Sequence, residues 1–135
     1  MYFPNADATI DHLSGESGAQ ALISTLAQED LGVAATTLVE LYTGVYHSLD
    51  PKQAERQLRT FLRTVTIVPL NRRVILRAAN IRADLLNRNL SVRTRAYDIL
   101  AAAVALEYNV TIVTSNTRDY RGIPGLRQLN ARLRP

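Results

Sequence analysis

Two rhythms of apolar residues alternate along this chain: short unbroken runs, and stripes spaced at three and four positions. The runs at residues 2–3, 32–36, 65–68 and 110–114 are rich in valine, isoleucine and aromatic side chains and are predicted strands. Pro4 weakens the first of them, because proline brings no N–H to a sheet ladder. The stripes predict helices between the strands. Residues 8–13 form one, with Asp7 as its cap and Gly15 as its stop. Residues 18–28 form a second, with Ala19, Leu22, Ile23 and Leu26 on one face.

The helical signal is cleanest over residues 37–47, where Leu38, Leu41, Tyr42, Val45 and Tyr46 make a single stripe. Asp50-Pro51 opens another helix that runs to Arg63, and Asn71 caps a long one to Asn89 with Val74, Ala78, Ile81 and Leu85 inward. Residues 98–106 are apolar nearly all round, which predicts a central, buried helix. A polar turn at 115–120 and a short strand at 126–129 close the pattern.

Strands alternating with helices call for an α/β domain with a mainly parallel sheet covered on both faces. Ligands in such sheets sit beyond the carboxyl ends of the strands. Asn5 follows the first strand, Glu40 lies one turn into the helix after the second, and Asn116 and Asp119 follow the fourth, so all four belong on one edge. At about 100° per residue, Glu40 lies nearly opposite the apolar stripe of its helix, beside Thr37 and Gly44. A mid-helix glycine costs about 1 kcal/mol against alanine, which suggests a close approach to that face. Asp98 opens an otherwise apolar helix and is thereby held near the sheet.

Composition narrows the chemistry. At 135 residues, with 47% hydrophobic and 21% charged side chains, the chain predicts one globular domain over 1–135. It has no cysteine, which removes disulfides, thiolate catalysis and cysteine zinc sites and suits a reducing cytoplasm. No run approaches a membrane span and no basic leader precedes an apolar core, so a cytoplasmic protein without membrane attachment is expected. The net charge is +4, and Lys52 is the only lysine among 16 basic residues. Arginine's rigid fork suits phosphate, so a nucleic-acid partner fits the balance as well as a compositional habit does.

No GxGxxG follows the first strand and no GxxxxGK[ST] occurs, so the common dinucleotide and P-loop sites are excluded. His12 and His47 are too few for a histidine metal site. What remains is an oxygen-ligand site built from Glu40, Asp98 and Asp119, suited to Mg²⁺ and to phosphodiester chemistry. Each acid also has an ordinary alternative: a solvated helix face for Glu40, a helix cap for Asp98, a solvated turn for Asp119.

Three blocks in this order and spacing resemble the PIN-domain family, specifically VapC-type toxins of toxin–antitoxin pairs. They are Thr37-Leu38-Val39-Glu40-Leu41-Tyr42-Thr43-Gly44-Val45, Tyr97-Asp98-Ile99-Leu100-Ala101-Ala102-Ala103, and Val113-Thr114-Ser115-Asn116-Thr117-Arg118-Asp119-Tyr120 with Ile123-Pro124-Gly125-Leu126. The resemblance implies a three-layer α/β/α fold with four to five strands, and a Mg²⁺- or Mn²⁺-dependent endoribonuclease. It also implies a homodimer silenced by a VapB-like antitoxin, with structured RNA such as transfer RNA as target. It makes Asn5, Glu40 and Asp98 the metal positions, and Glu40, Asp98, Asn116 and Asp119 the catalytic set. Arg93, Arg95 and Arg118 are then placed to contact RNA backbone.

The opening segment departs from that pattern. The family usually reads Asp-Thr-Asn or Asp-Thr-Asp after its first strand, and this chain reads Asn5-Ala6-Asp7 after Pro4. An amide carbonyl can coordinate a cation but brings it no charge. Three readings of Asn5 stand: a deliberate disabling, natural decay into a module that binds antitoxin or RNA without cutting, or Asp7 in its place. The departures at Pro4 and Ala6 argue against a single deliberate substitution.

Overall fold

The computed structural model describes residues 1–132. Five short strands are present, β1 (Tyr2–Pro4), β2 (Gly32–Ala34), β3 (Thr66–Val68), β4 (Thr111–Thr114) and β5 (Gln128–Asn130). Helices α1 (Ala6–Leu13) and α2 (Ser17–Leu26) link β1 to β2, and α3 (Ala35–His47) and α4 (Pro51–Leu62) link β2 to β3. Two more, α5 (Arg72–Asn87) and α6 (Ala96–Tyr108), link β3 to β4. A single 3₁₀ turn, Thr117–Tyr120, follows β4.

All strand pairings among the described residues are parallel: β1 with β4, β4 with β5, and β2 with β3. A bridge between Tyr2 and Leu31 joins the two ladders, giving the order β3-β2-β1-β4-β5. The direction of progress reverses between β1 and β4, which is where open parallel sheets bind ligands. Pro4 is accommodated because it ends its strand; the ladder is continued by Asn5, whose N–H donates to the Val113 carbonyl at 2.9 Å.

Strand alternation divides the core in two. Phe3, Ala34, Val68 and Ile112 pack with α5 and α6, whereas Val33 and Val113 pack with α1 to α4. Gly32 is required by the first of these layers, since a Cβ there would lie 2.2 Å from the Phe3 ring. Burial of Ile99, Ala101 to Ala105 and neighbouring positions makes α6 the central helix its composition predicted.

The expected elements all form, with shifted ends. The Asp50 and Asn71 caps hold, accepting from the N–H groups of Gln53 and Val74. By contrast α1 begins at Ala6, so Asp7 is not its cap; Asn5 takes the N-cap position with extended backbone and no side-chain cap bond. Helix α3 likewise begins at Ala35, and its N-cap, Ala34, also offers no capping side chain. Helix α2 ends at Leu26 and tightens into a 3₁₀ turn, Ala27–Glu29. The last strand falls at Gln128–Asn130, not 126–129.

Tyr46 lies outside the buried part of its stripe and is 70% exposed. Gly44 is corrected too: a Cβ there would meet nothing within 4 Å among the described residues, so no protein atom crowds that face. No helix among the described residues is long and apolar enough to cross a membrane.

Candidate active site

The switch point between β1 and β4 gathers residues from four parts of the chain. Asn5 follows β1 and is 8% exposed. Asp98 stands in the first turn of α6, where the positive end of the helix dipole faces it. Glu40 projects from the second turn of α3 and is half-buried. Asn116 and Asp119 lie beyond β4, the first exposed and the second half-buried.

The acids feel one another. Burial, followed by the charges of Asp98, Asp7 and Asp119, pushes the Glu40 carboxyl up to about 7. Burial and then the Asp119 charge push Asp98 up to about 6, against the pull of bonds from Asn5 and Tyr120 and of the Arg95 cation. A cluster of that kind is one a cation would relieve. Yet among the described residues no three acid or histidine side chains form a group that could hold a metal.

Asn5 turns its amide N–H groups on the site. Nδ2 donates to Asp98 Oδ1 at 3.5 Å and, in a shorter contact, to the Tyr120 hydroxyl. Its Oδ1 is buried and has no hydrogen-bond partner among the described residues. The amide therefore supplies partial positive charge beside Asp98, where a carboxylate would add a negative one.

Asp7 does not stand in for it as a free acid. Its Oδ2 accepts from the Thr114 hydroxyl at 3.0 Å and the Ser115 N–H at 2.7 Å, tying α1 to the end of β4. Asn116 is similarly engaged: its Nδ2 donates to Asp119 Oδ2 at 2.9 Å, and its N–H to Thr114 Oγ1 at 3.0 Å.

The three arginines divide. Arg93 and Arg118 are exposed. Arg95 instead spends its fork inside the molecule, Nε on the Asp119 carbonyl at 2.9 Å and Nη2 on the Arg121 carbonyl at 2.7 Å.

Tyr120 was not singled out by the sequence, where it sits in a turn read as polar. It is 1% exposed, its hydroxyl accepts from Asn5, and it donates to Asp98 Oδ1 at 3.4 Å. The available signal was an aromatic body with a polar tip directly after Asp119, a residue that usually finds a partner when buried.

Fold and edge geometry describe a parallel α/β domain with an acidic centre at its switch point. The PIN domain family model matches residues 2–125, and the chain belongs to that family. Among characterised proteins it is similar to Ribonuclease VapC2 of Rickettsia felis, 27% identical over 96 residues, 71% of this chain and 70% of that one. It is also 27% identical over 95 residues to the tRNA(fMet)-specific endonuclease VapC of Salmonella typhimurium, covering 70% of each.

Among solved structures, VapBC2 from Rickettsia felis bound to a promoter DNA fragment superposes with a TM-score of 0.86 at 23% identity. The match covers 96% of this chain and 97% of that one. DNA-bound VapBC from Salmonella typhimurium gives the same TM-score at 21% identity, over 96% and 97%. At such identities the superpositions establish the fold.

Proposed function

We propose that this chain is a VapC-type toxin, an endoribonuclease whose site at the β1–β4 switch point is restrained by Asn5 and silenced by a VapB-like antitoxin. The observation that carries the reading is the placement of Glu40, Asp98 and Asp119 beyond the strand ends on one sheet edge, where burial and then neighbouring acids raise the first two. Family membership and the ribonuclease names of the two relatives support it. Both superposed neighbours are toxin–antitoxin complexes, which supports the antitoxin.

The donors suit a hydrated Mg²⁺ or Mn²⁺: they are all oxygen, and such an ion needs only one or two carboxylates besides water and substrate phosphate. Asp98 and Glu40 would hold it, and it would supply a water of lowered pKa and charge for the leaving oxygen. Asp119 and Asn116 stand beyond β4 on the same sheet edge, bonded to each other. Asn5 adds no charge, which lowers cation affinity. Arg93 and Arg118, both exposed, are the cations available to RNA phosphates.

Labelled total RNA, incubated with the chain in Mg²⁺, Mn²⁺ or EDTA, tests the reading. Cleavage that needs the ion and disappears in Asp98→Asn and Glu40→Gln is the expected result. Cleavage that persists in EDTA, or in both variants, would place the chemistry elsewhere.

A second reading is favoured by the Asn5 amide and by the lack of a three-acid group among the described residues: a module that binds antitoxin or RNA without cutting. It predicts tight antitoxin binding and no cleavage even after Asn5→Asp.

A further inference from the structure

We propose that Tyr120 is a positioning residue of this site: its hydroxyl fixes Asp98 through Oδ1, so that Oδ2 is the oxygen Asp98 offers to a divalent cation. The inference rests on the reading that the acids hold such an ion, and it names the residue that sets their geometry.

Asp98 Oδ1 accepts from both the Tyr120 hydroxyl and Asn5 Nδ2. Among the described residues no group donates to its Oδ2, and Asp98 as a whole is half-buried. The two oxygens of one carboxylate are thus differentiated, one held by protein and one without a partner among the described residues. A carboxylate fixed in this way presents a single lone-pair direction, and orienting bonds of this kind tune metal ligands.

The phenol is itself immobilised. Its ring is buried at 1% exposure, on the turn Thr117–Tyr120. The Arg95 guanidinium grips the carbonyls of Asp119 and Arg121, the residues either side of Tyr120. Arg95 also occupies the N-cap position of α6, whose first turn carries Asp98. One side chain therefore locks the turn bearing the hydroxyl to the helix bearing the acid. Arg88 secures the far end of the turn, donating to the Gly122 carbonyl while paired with Asp84 at 2.6 Å.

Packing alone would be served by phenylalanine. A hydroxyl buried here must be bonded to be tolerated, and both of its partners belong to the site.

The test is Mn²⁺ binding by this chain, read from loss of the free-ion paramagnetic resonance signal, with Mg²⁺ competition and circular dichroism to confirm folding. Tyr120→Phe is expected to weaken Mn²⁺ binding about 10-fold or more while the dichroism is retained. Arg95→Gln, which releases the turn bearing the hydroxyl and removes a cation beside Asp98, should also weaken it, and Arg95→Lys, which keeps the charge, should restore part of the loss.

Two failures are distinguishable. If Asp98→Asn loses Mn²⁺ but folded Tyr120→Phe and Arg95→Gln bind as tightly as the parent, the positioning role is overturned and the metal site stands. If neither the parent nor Asn5→Asp binds Mn²⁺, or if Asp98→Asn binds it normally, the metal reading falls and the positioning role falls with it.

Discussion

An amide at position 5 changes both the charge and the hydrogen bonding of its surroundings. It removes a negative charge from a cluster in which Glu40 and Asp98 already hold their protons more tightly than usual, and it donates to Asp98 where a carboxylate would repel it. Asn5→Asp should therefore lower the melting temperature in EDTA, and millimolar Mg²⁺ should recover the loss; the parent should respond less to the ion. Differential scanning fluorimetry in both buffers checks this.

The same cluster sets a pH dependence. Glu40 titrates near 7 in the fold against 4.5 as its ordinary value, so between those limits the folded chain binds more protons than the unfolded one. Stability from this group is then fullest below about 4.5 and declines as pH rises toward 7. Without metal, the melting temperature of Glu40→Gln should fall less than the parent's between pH 5 and 8. Asn5, Glu40 and Asp98 were legible in the sequence because each stands just beyond a strand end or within the first two turns of a helix on one sheet edge. Tyr120 was not, because its bond partners lie 22 and 115 positions away and its own neighbourhood reads as a polar turn.

Helix ends decide what reaches the site. Where a capping side chain exists, as at Asp50 and Asn71, the sequence located the helix start. Where none exists, at Asn5 and Ala34, the helices begin two residues earlier than their apolar stripes suggest. That shift moves Asp7 from an expected cap into the first turn of α1, where its carboxylate meets Thr114 and Ser115 at the end of β4. The contact fastens the helix behind Asn5 to the strand behind Asn116. Thr114 is 1% exposed, so Thr114→Val removes a buried donor to a charged group without changing shape greatly. It should cost about 1–3 kcal/mol in urea unfolding. A change below a few tenths would mean that Asp7 finds an equivalent partner elsewhere.

At the scale of the whole molecule, the order β3-β2-β1-β4-β5 makes the acids converge, since it places the ends of β1 and β4 side by side at the reversal point. Strand–helix alternation made the parallel sheet predictable, but strand order is a long-range property that apolar spacing does not encode. The basic balance, +4 overall and carried almost wholly by arginine, acts at this scale as a field for a polyanion. If Arg118 meets an RNA phosphate, Arg118→Ala should reduce the slope of log affinity against log salt by about 0.7 for single-stranded RNA. An unchanged slope would remove it from the interface. The most direct test of the whole account is to compare the parent chain with Asn5→Asp on the same labelled RNA, in Mg²⁺, Mn²⁺ and EDTA. Restoring the carboxylate should raise ion-dependent cleavage at least about 10-fold, with EDTA abolishing it. Equal cleavage by the two proteins would show that position 5 does not limit the site and would contradict the account at its first residue.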